Sequence, residues 1–162
     1  MSHELRSEFG DAEDSPGLLL WQVTNRWQAA VRAALAPLEL THVQFVLLAS
    51  LTYLSGNGPL VTQRALADWA FTDPMMTSQV LRTLEAKGLV IRRDHPADGR
   101  AKVLAVTDAG AALANRAVAV VERADVEFFA PLGDHGAEFA GLLRTLRQPA
   151  AAPTHVPVIP GD

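Results

Sequence analysis

The sequence predicts a mainly α-helical fold with one small β-hairpin. Three observations predict it. Apolar residues at three-and-four spacing dominate the chain from Pro16 to Arg147. Two short β-rich segments, LVIRR (89–93) and KVLAV (102–106), bracket a turn-forming loop. Helix-start residues recur at Thr41, Thr62, Asp73 and Thr107.

Each element has a local reason. Residues 1–15 read as a flexible arm. From Pro16, the residues Leu20, Val23, Trp27, Val31 and Ala34 share one helix face, and Pro37 lies at its far end. Thr41-His-Val-Gln44 is a capping box: the hydroxyl can cap the amide three residues on, and Gln44 can reach back. FVLLASLTYL follows as a strongly apolar helix, and GNGP (56–59) should end it. Thr62 opens a short helix, QRALADWA, and FTD turns the chain. Asp73-Pro74 then starts a helix, with Asp as the cap and Pro at the first helical position. That helix should run to about Lys87 and stop at Gly88.

The two strands follow, with DHPADGRA (94–101) expected as the loop between them. Thr107-Asp108 caps a long helix over about 108–130, whose expected seam is Leu113, Ala117, Val120, Ala124 and Phe128. Pro131-Leu-Gly breaks it, and Asp134 should start a last helix to about Arg147. The tail QPAAAPTHVPVIPGD (148–162) carries four Pro and predicts no regular structure. Two helices joined by a tight turn and followed by a hairpin make a winged helix-turn-helix, here over about 41–106. One domain, 16–147, should hold it together with the long flanking helices.

Composition narrows the function. The chain has no Cys, which removes disulfides, thiolate zinc sites and thiol redox sensing. The start is polar and acidic, unlike a secretory signal, and the longest apolar runs are too short to span a bilayer. The expectation is a soluble cytoplasmic protein with no membrane partner. The net charge of −4 is uneven: residues 62–102 hold seven basic and five acidic residues, so the middle of an acidic chain is basic. Phosphate binding needs such a local basic face, although charge runs are also ordinary solvated surface.

The helix DPMMTSQVLRTLEAKG carries the chemistry. At 3.6 residues per turn, Thr77, Leu81 and Leu84 share a face with Val80 beside it. Met75, Met76, Ser78, Gln79 and Arg82 fall on the other side. Gln can pair with an adenine edge, Arg with guanine or phosphate, Ser with either, and Met can touch a thymine methyl. The same face would also suit an ordinary amphipathic helix. In the hairpin, Asp98 and Arg100 flank Gly99, and a carboxylate–guanidinium pair could fix the turn. Arg100 at the tip could enter a narrow minor groove.

From Leu40 to Leu113 the chain resembles the MarR family of multiple antibiotic resistance regulators. The matching pieces are LTHVQFVLLASL, then LVTQRALADWAFTDPMMTSQVLRTLEAKGLVIRR, then DHPADGRAKVLAVTDAGAAL. The last contains the family's wing pattern of Asp, one residue and Arg, and a T-D-A-G helix start. The resemblance implies a homodimer built from the first, fifth and sixth helices (about 16–36 and 108–147). Its two winged motifs would bind a pseudo-palindromic operator in double-stranded DNA. It implies base contacts by Met75, Met76, Ser78, Gln79 and Arg82, with Arg100 in the minor groove and Asp98 organising the wing.

Two positions depart from the pattern. Phe71 stands where the family often has Gly, and a positive φ is costly for Phe. Gln79 stands where many relatives have Arg. Many members also bind small aromatic or anionic effectors between the dimer helices and the winged domain. By analogy Trp21, Trp27, His42 and Phe45 lie near that cleft, although such aromatics are also ordinary core. The function expected is a transcriptional repressor released by a small molecule. The rival is a winged-helix module that binds protein. An enzyme is not expected: the five His are scattered and no nucleophile motif or phosphate-cradling Gly-rich loop occurs. No metal and no cofactor are expected.

Overall fold

A computed structural model of the chain describes residues 8–57 and 60–148. The N-terminal residues 1–7, two residues of the expected GNGP turn, and nearly all of the Pro-rich tail lie outside the described residues. The elements in chain order are α1 (Pro16–Leu35), α2 (His42–Asn57), β1 (Val61–Thr62), α3 (Gln63–Ala70), α4 (Pro74–Ala86), β2 (Val90–His95), β3 (Asp98–Val106), α5 (Asp108–Phe129) and α6 (Gly136–Arg147). Short 3₁₀ turns precede α1, follow it, and lie between α5 and α6. The chain divides into two compact units, one ending at Phe128 and the other beginning at Phe129.

Local chemistry sets most of the helix starts. Thr41 and Gln44 form the expected box: the Gln44 amide donates to the Thr41 hydroxyl at 3.3 Å, and the Thr41 amide to Gln44 Oε1 at 3.2 Å. Thr62 Oγ1 accepts the Ala65 amide at 3.1 Å and caps α3. Asp73 Oδ2 accepts the Met76 amide at 2.9 Å and caps α4, with Pro74 at its first position. Each cap satisfies a donor that would otherwise go unpaired, worth about 1 kcal/mol.

The first unit's core is aliphatic. Leu35 of α1, Leu47, Leu48 and Leu51 of α2, Leu66 of α3, Leu81 and Leu84 of α4 and Leu104 of β3 join one cluster with Val31 and Val90. Helix α2 packs against α1, α3, α4 and the sheet, which explains why it is apolar all round. Thr77 is the one buried polar side chain among the described residues. Its hydroxyl donates to the Asp73 carbonyl at 2.8 Å and can accept from Thr72 at 2.7 Å, so its burial leaves nothing unpaired. No single described helix is long and apolar enough to cross a membrane.

Four details differ from the sequence expectation. The hairpin turn is two residues, Pro96-Ala97, because β2 and β3 continue through most of the expected loop. The sheet has a third strand, β1, in the antiparallel order β1-β3-β2, with Val61 opposite Leu104. A two-residue strand has too little sequence to show periodicity. The row of α5 buried within the chain is Gly110, Ala114, Ala117 and Val121, not the expected seam. The expected seam shares Ala117 with that row and is turned from it by only about 50°. Leu113, Val120, Ala124 and Phe128 are partly buried, with Leu113 and Val120 packed against the core. Finally, α6 starts at Gly136, after a 3₁₀ turn, rather than at Asp134.

Phe71 does take the left-handed conformation, with φ 53° and ψ 42°. Its turn closes α3: the Thr72 amide donates to the Ala67 carbonyl at 3.0 Å. A side chain with a Cβ costs about 1–2 kcal/mol there relative to the right-handed region.

The start of α5 locks the sheet to the core. The Thr107 amide donates to the Leu89 carbonyl at 3.1 Å, and its hydroxyl donates toward the Gly88 carbonyl at 2.8 Å. The same hydroxyl oxygen accepts the Gly110 amide at 3.0 Å. This draws Gly110 so close that an added Cβ would sit 2.9 Å from Val106 Cγ2 and inside contact distance of the Leu89 carbonyl oxygen. Gly110→Ala should therefore destabilise the fold by about 1–3 kcal/mol through overpacking, despite the better helix propensity of Ala. Denaturant unfolding measures this, and a change within about 0.5 kcal/mol would contradict the close approach.

Candidate nucleic-acid interface

Helix α4 presents its two faces as the periodicity requires. Thr77, Leu81 and Leu84 are buried, and Val80 is half-buried. On the opposite side Met75 is 83% exposed and Met76 40% exposed, and Gln79 and Arg82 are also open to solvent. Ser78 is half-buried, at the edge of that face. The structure therefore brings four of the five candidate residues onto one open surface, with Ser78 beside them. A Met at 83% exposure gains nothing from the core, and the Asp73 cap next to it holds this end of the helix in place.

The wing is held differently from the expected carboxylate–guanidinium pair. Asp98 Oδ1 accepts the backbone amide of Arg100 at 2.9 Å. Arg100 is not at the hairpin tip, which is Pro96-Ala97, but in β3, where the register slips between the pairs His95–Asp98 and Asp94–Lys102. The Asp98 carboxylate shapes the backbone there, and the exposed Arg100 side chain is not its partner. This follows from reach: an Asp two residues back closes an Asx-type turn onto the main chain before it can meet a long side chain pointing outward. Across the strands, Lys102 pairs with Asp94. The hydrogen bond and charge of Lys102 hold the Asp94 carboxyl below the usual carboxylate range.

Sequence reasoning missed Arg92. Arg92 Nη2 donates to Gln63 Oε1 of α3 at 3.1 Å, and Nη1 lies 3.7 Å from Glu85 Oε2 of α4. The alternation of β2 places this side chain on the core face, a signal overlooked because Arg is not read as a core residue.

The candidate ligand cleft is assembled in part. Trp27 of α1 donates through Nε1 to Asp125 Oδ1 of α5 at 2.7 Å. Its ring meets His42 of α2 edge-on, with centroids 5.1 Å apart. Burial, and then the Arg32 charge, lower the His42 pKa, while Asp125 opposes them. The neutral imidazole is therefore favoured. Phe45 packs against the aliphatic core. Trp21 is 69% exposed on α1 and stands apart from this cluster. Asp125 and Arg32 were not legible as partners, because Asp125 is 98 residues from Trp27. Among the described residues, no group of three His, Asp or Glu could hold a metal ion.

These features can be set beside known proteins. The MarR family model matches residues 40–102. The chain is 46% identical to the uncharacterized HTH-type transcriptional regulator YdcH of Bacillus subtilis, over 78% of this chain and 86% of that protein. It is 40% identical to the HTH-type transcriptional repressor Rv2887 of Mycobacterium tuberculosis, over 76% of this chain and 86% of the repressor. The crystal structure of Rv2887 with salicylic acid superposes with a TM-score of 0.65 at 38% identity, covering 84% of this chain and 99% of that one. CouR from Rhodococcus jostii, solved with p-coumaroyl-CoA, superposes with a TM-score of 0.76 at 26% identity, covering 89% and 99%. A capped recognition helix, an Asp-organised wing, a T-D-A-G helix start and relatives matched over most of their length lead to one conclusion: the chain belongs to the MarR family of winged helix-turn-helix transcriptional regulators.

Proposed function

We propose that this regulator is a homodimeric repressor that holds a pseudo-palindromic operator and leaves it when a small aromatic anion binds. The observation that carries the reading is the exposed face of α4 beside an ordered wing. Met75, Met76, Ser78, Gln79 and Arg82 would meet base edges or phosphates in the major groove, and Arg100 would enter the adjacent minor groove. Asp98 would act by fixing the backbone at Arg100. Residues 16–147 form the working domain, acting on DNA in the cytoplasm.

Dimerisation through α1, α5 and α6 is supported by what they leave exposed. On α1, Leu20 and Trp21 are exposed; so is Val126 on α5; and so are Leu142 and Leu146 on α6. Exposed apolar side chains on each of these helices call for a covering partner. The protein-binding alternative has no specific observation in its favour, and the relatives are named as transcriptional regulators and repressors.

For the effector, the junction of Trp27, His42 and Arg32 offers aromatic edges and a positive charge, with the Asp125 carboxylate engaged by Trp27 Nε1. An aromatic carboxylate suits it, and Rv2887 has been solved with salicylic acid.

The test is operator binding followed by fluorescence anisotropy. The protected site should carry two half-sites about 10 bp apart, because two recognition helices enter successive major grooves. Gln79→Ala and Arg82→Ala should each cost about 1–3 kcal/mol on the operator and far less on random duplex. Equal losses on both would leave these residues as phosphate contacts only.

Salicylate titrated into the operator complex should release the DNA. Binding that persists at saturating salicylate, with no change in Trp fluorescence, would remove this class of effector.

Arg100→Ala should weaken operator binding while leaving the thermal melt in place, since an exposed side chain at the outer end of the wing contributes little to the core. Asp98→Ala should weaken it less, by roughly 1 kcal/mol, because the backbone at Arg100 must then be ordered on binding. The double variant should lose about as much as Arg100→Ala alone. Additive losses would show that Asp98 does not act through Arg100.

A further inference from the structure

Arg92 occupies an unusual place for a cation. It lies in β2 opposite Leu104, which in turn lies opposite Val61 of β1. Residues directly opposite share a face, so Arg92 stands in the inward row with Leu104, Val61 and Val90, all of them buried. Its side chain is only 14% exposed. A hydrophobic residue would fill this row at no electrostatic cost, yet the chain places a guanidinium there.

What the guanidinium touches explains its value. One nitrogen donates to Gln63, the first residue of α3. Another faces the carboxylate of Glu85 in the last turn of α4. The same carboxylate accepts the Arg92 backbone amide at 3.3 Å, so Glu85 holds both the strand and its side chain. Arg92 Nε is buried without a partner, the one such side-chain atom among the described residues. An unpaired buried N–H is unfavourable, so packing efficiency alone does not account for this arginine.

The three contacts join the start of α3, the end of α4 and the first wing strand. Glu85 lies three residues beyond Arg82 and six beyond Gln79 on the recognition helix. We propose that Arg92 is a positioning residue: its bridge between Gln63 and Glu85 fixes the angle between α4 and the wing, so that Gln79 and Arg100 engage one half-site together. This inference rests on the reading of α4 and Arg100 as DNA contacts. Only a planar fork can span both partners, so lysine is not an adequate substitute.

The experiment is an affinity cycle on the operator with the full-length dimer. Arg92→Met keeps an apolar stem of similar length in the inward row, so the thermal melt should stay within a few degrees. Operator affinity should fall about tenfold, while random-duplex affinity stays within about twofold. Arg100→Ala should cost about tenfold in the natural background and under about twofold on top of Arg92→Met, since a misplaced Arg100 has little left to lose. Arg92→Lys should behave like Arg92→Met.

A folded Arg92→Met dimer with undiminished operator affinity would overturn the proposal. So would an Arg100→Ala loss of full size in that background, or full recovery by Arg92→Lys. If Arg92→Met does not fold, Gln63→Ala and Glu85→Gln enter the same cycle under the same criteria. The underlying wing reading is tested separately: Arg100→Ala without effect in the natural background would remove the wing contact, and the positioning role with it.

Discussion

The structure depends on one small junction, where the start of α5 is fastened to the end of the recognition-helix segment. Thr107 gives its amide to the Leu89 carbonyl and its hydroxyl hydrogen toward Gly88, and accepts the Gly110 amide on the same oxygen. Three otherwise unpaired polar groups are satisfied in a space too tight for a Cβ at Gly110. Gly88 supplies the positive φ, 71°, that lets the chain leave α4 and enter β2 at once. Leu89 and Val90 are thereby turned into the core, and the wing strands leave from a fixed base.

That junction makes recognition helix, wing and long helix one mechanical object. A shift of α5 would pull on the Leu89 carbonyl, and so on both the end of α4 and the root of β2. The Trp27–Asp125 hydrogen bond ties α5 to α1, and His42 places α2 against the same tryptophan. The candidate effector cleft and the exposed face of α4 are therefore connected through packed side chains and short hydrogen bonds. A ligand in that cleft would bias the wing only by binding two arrangements of the domain with different affinity.

Charge and strain are distributed to suit binding. The chain is acidic overall, yet Arg82, Arg93 and Arg100 lie exposed on the winged segment. A region can attract phosphate while the rest of the molecule repels it, which favours one orientation of approach. Phe71 holds a left-handed turn that Gly would hold with less strain, and it is 75% exposed. The neighbouring Asp73 cap and the Thr72–Thr77 hydroxyl pair secure the turn from the other side.

The sequence by itself determined the order of the helices and the hairpin, the starts of α1 to α5, and the two faces of α4. Those are local matters: a cap reaches three residues, and a helix face repeats every three or four. It also placed Met75, Gln79 and Arg82 on the open side, because Thr77, Leu81 and Leu84 leave no other choice. Tertiary structure alone decided the rest. The β1 strand exists only because β3 pairs with it, and two residues carry no period of their own. The inward row of α5 was set by contact with Leu89 at Gly110, which selected one of two overlapping apolar stripes. Asp98 bonds to the Arg100 amide rather than to its guanidinium because the main-chain donor two residues on lies within reach of its short side chain. Asp125 and Gln63, the side-chain hydrogen-bond partners of Trp27 and Arg92, lie 98 and 29 residues away, and no local rule reaches that far.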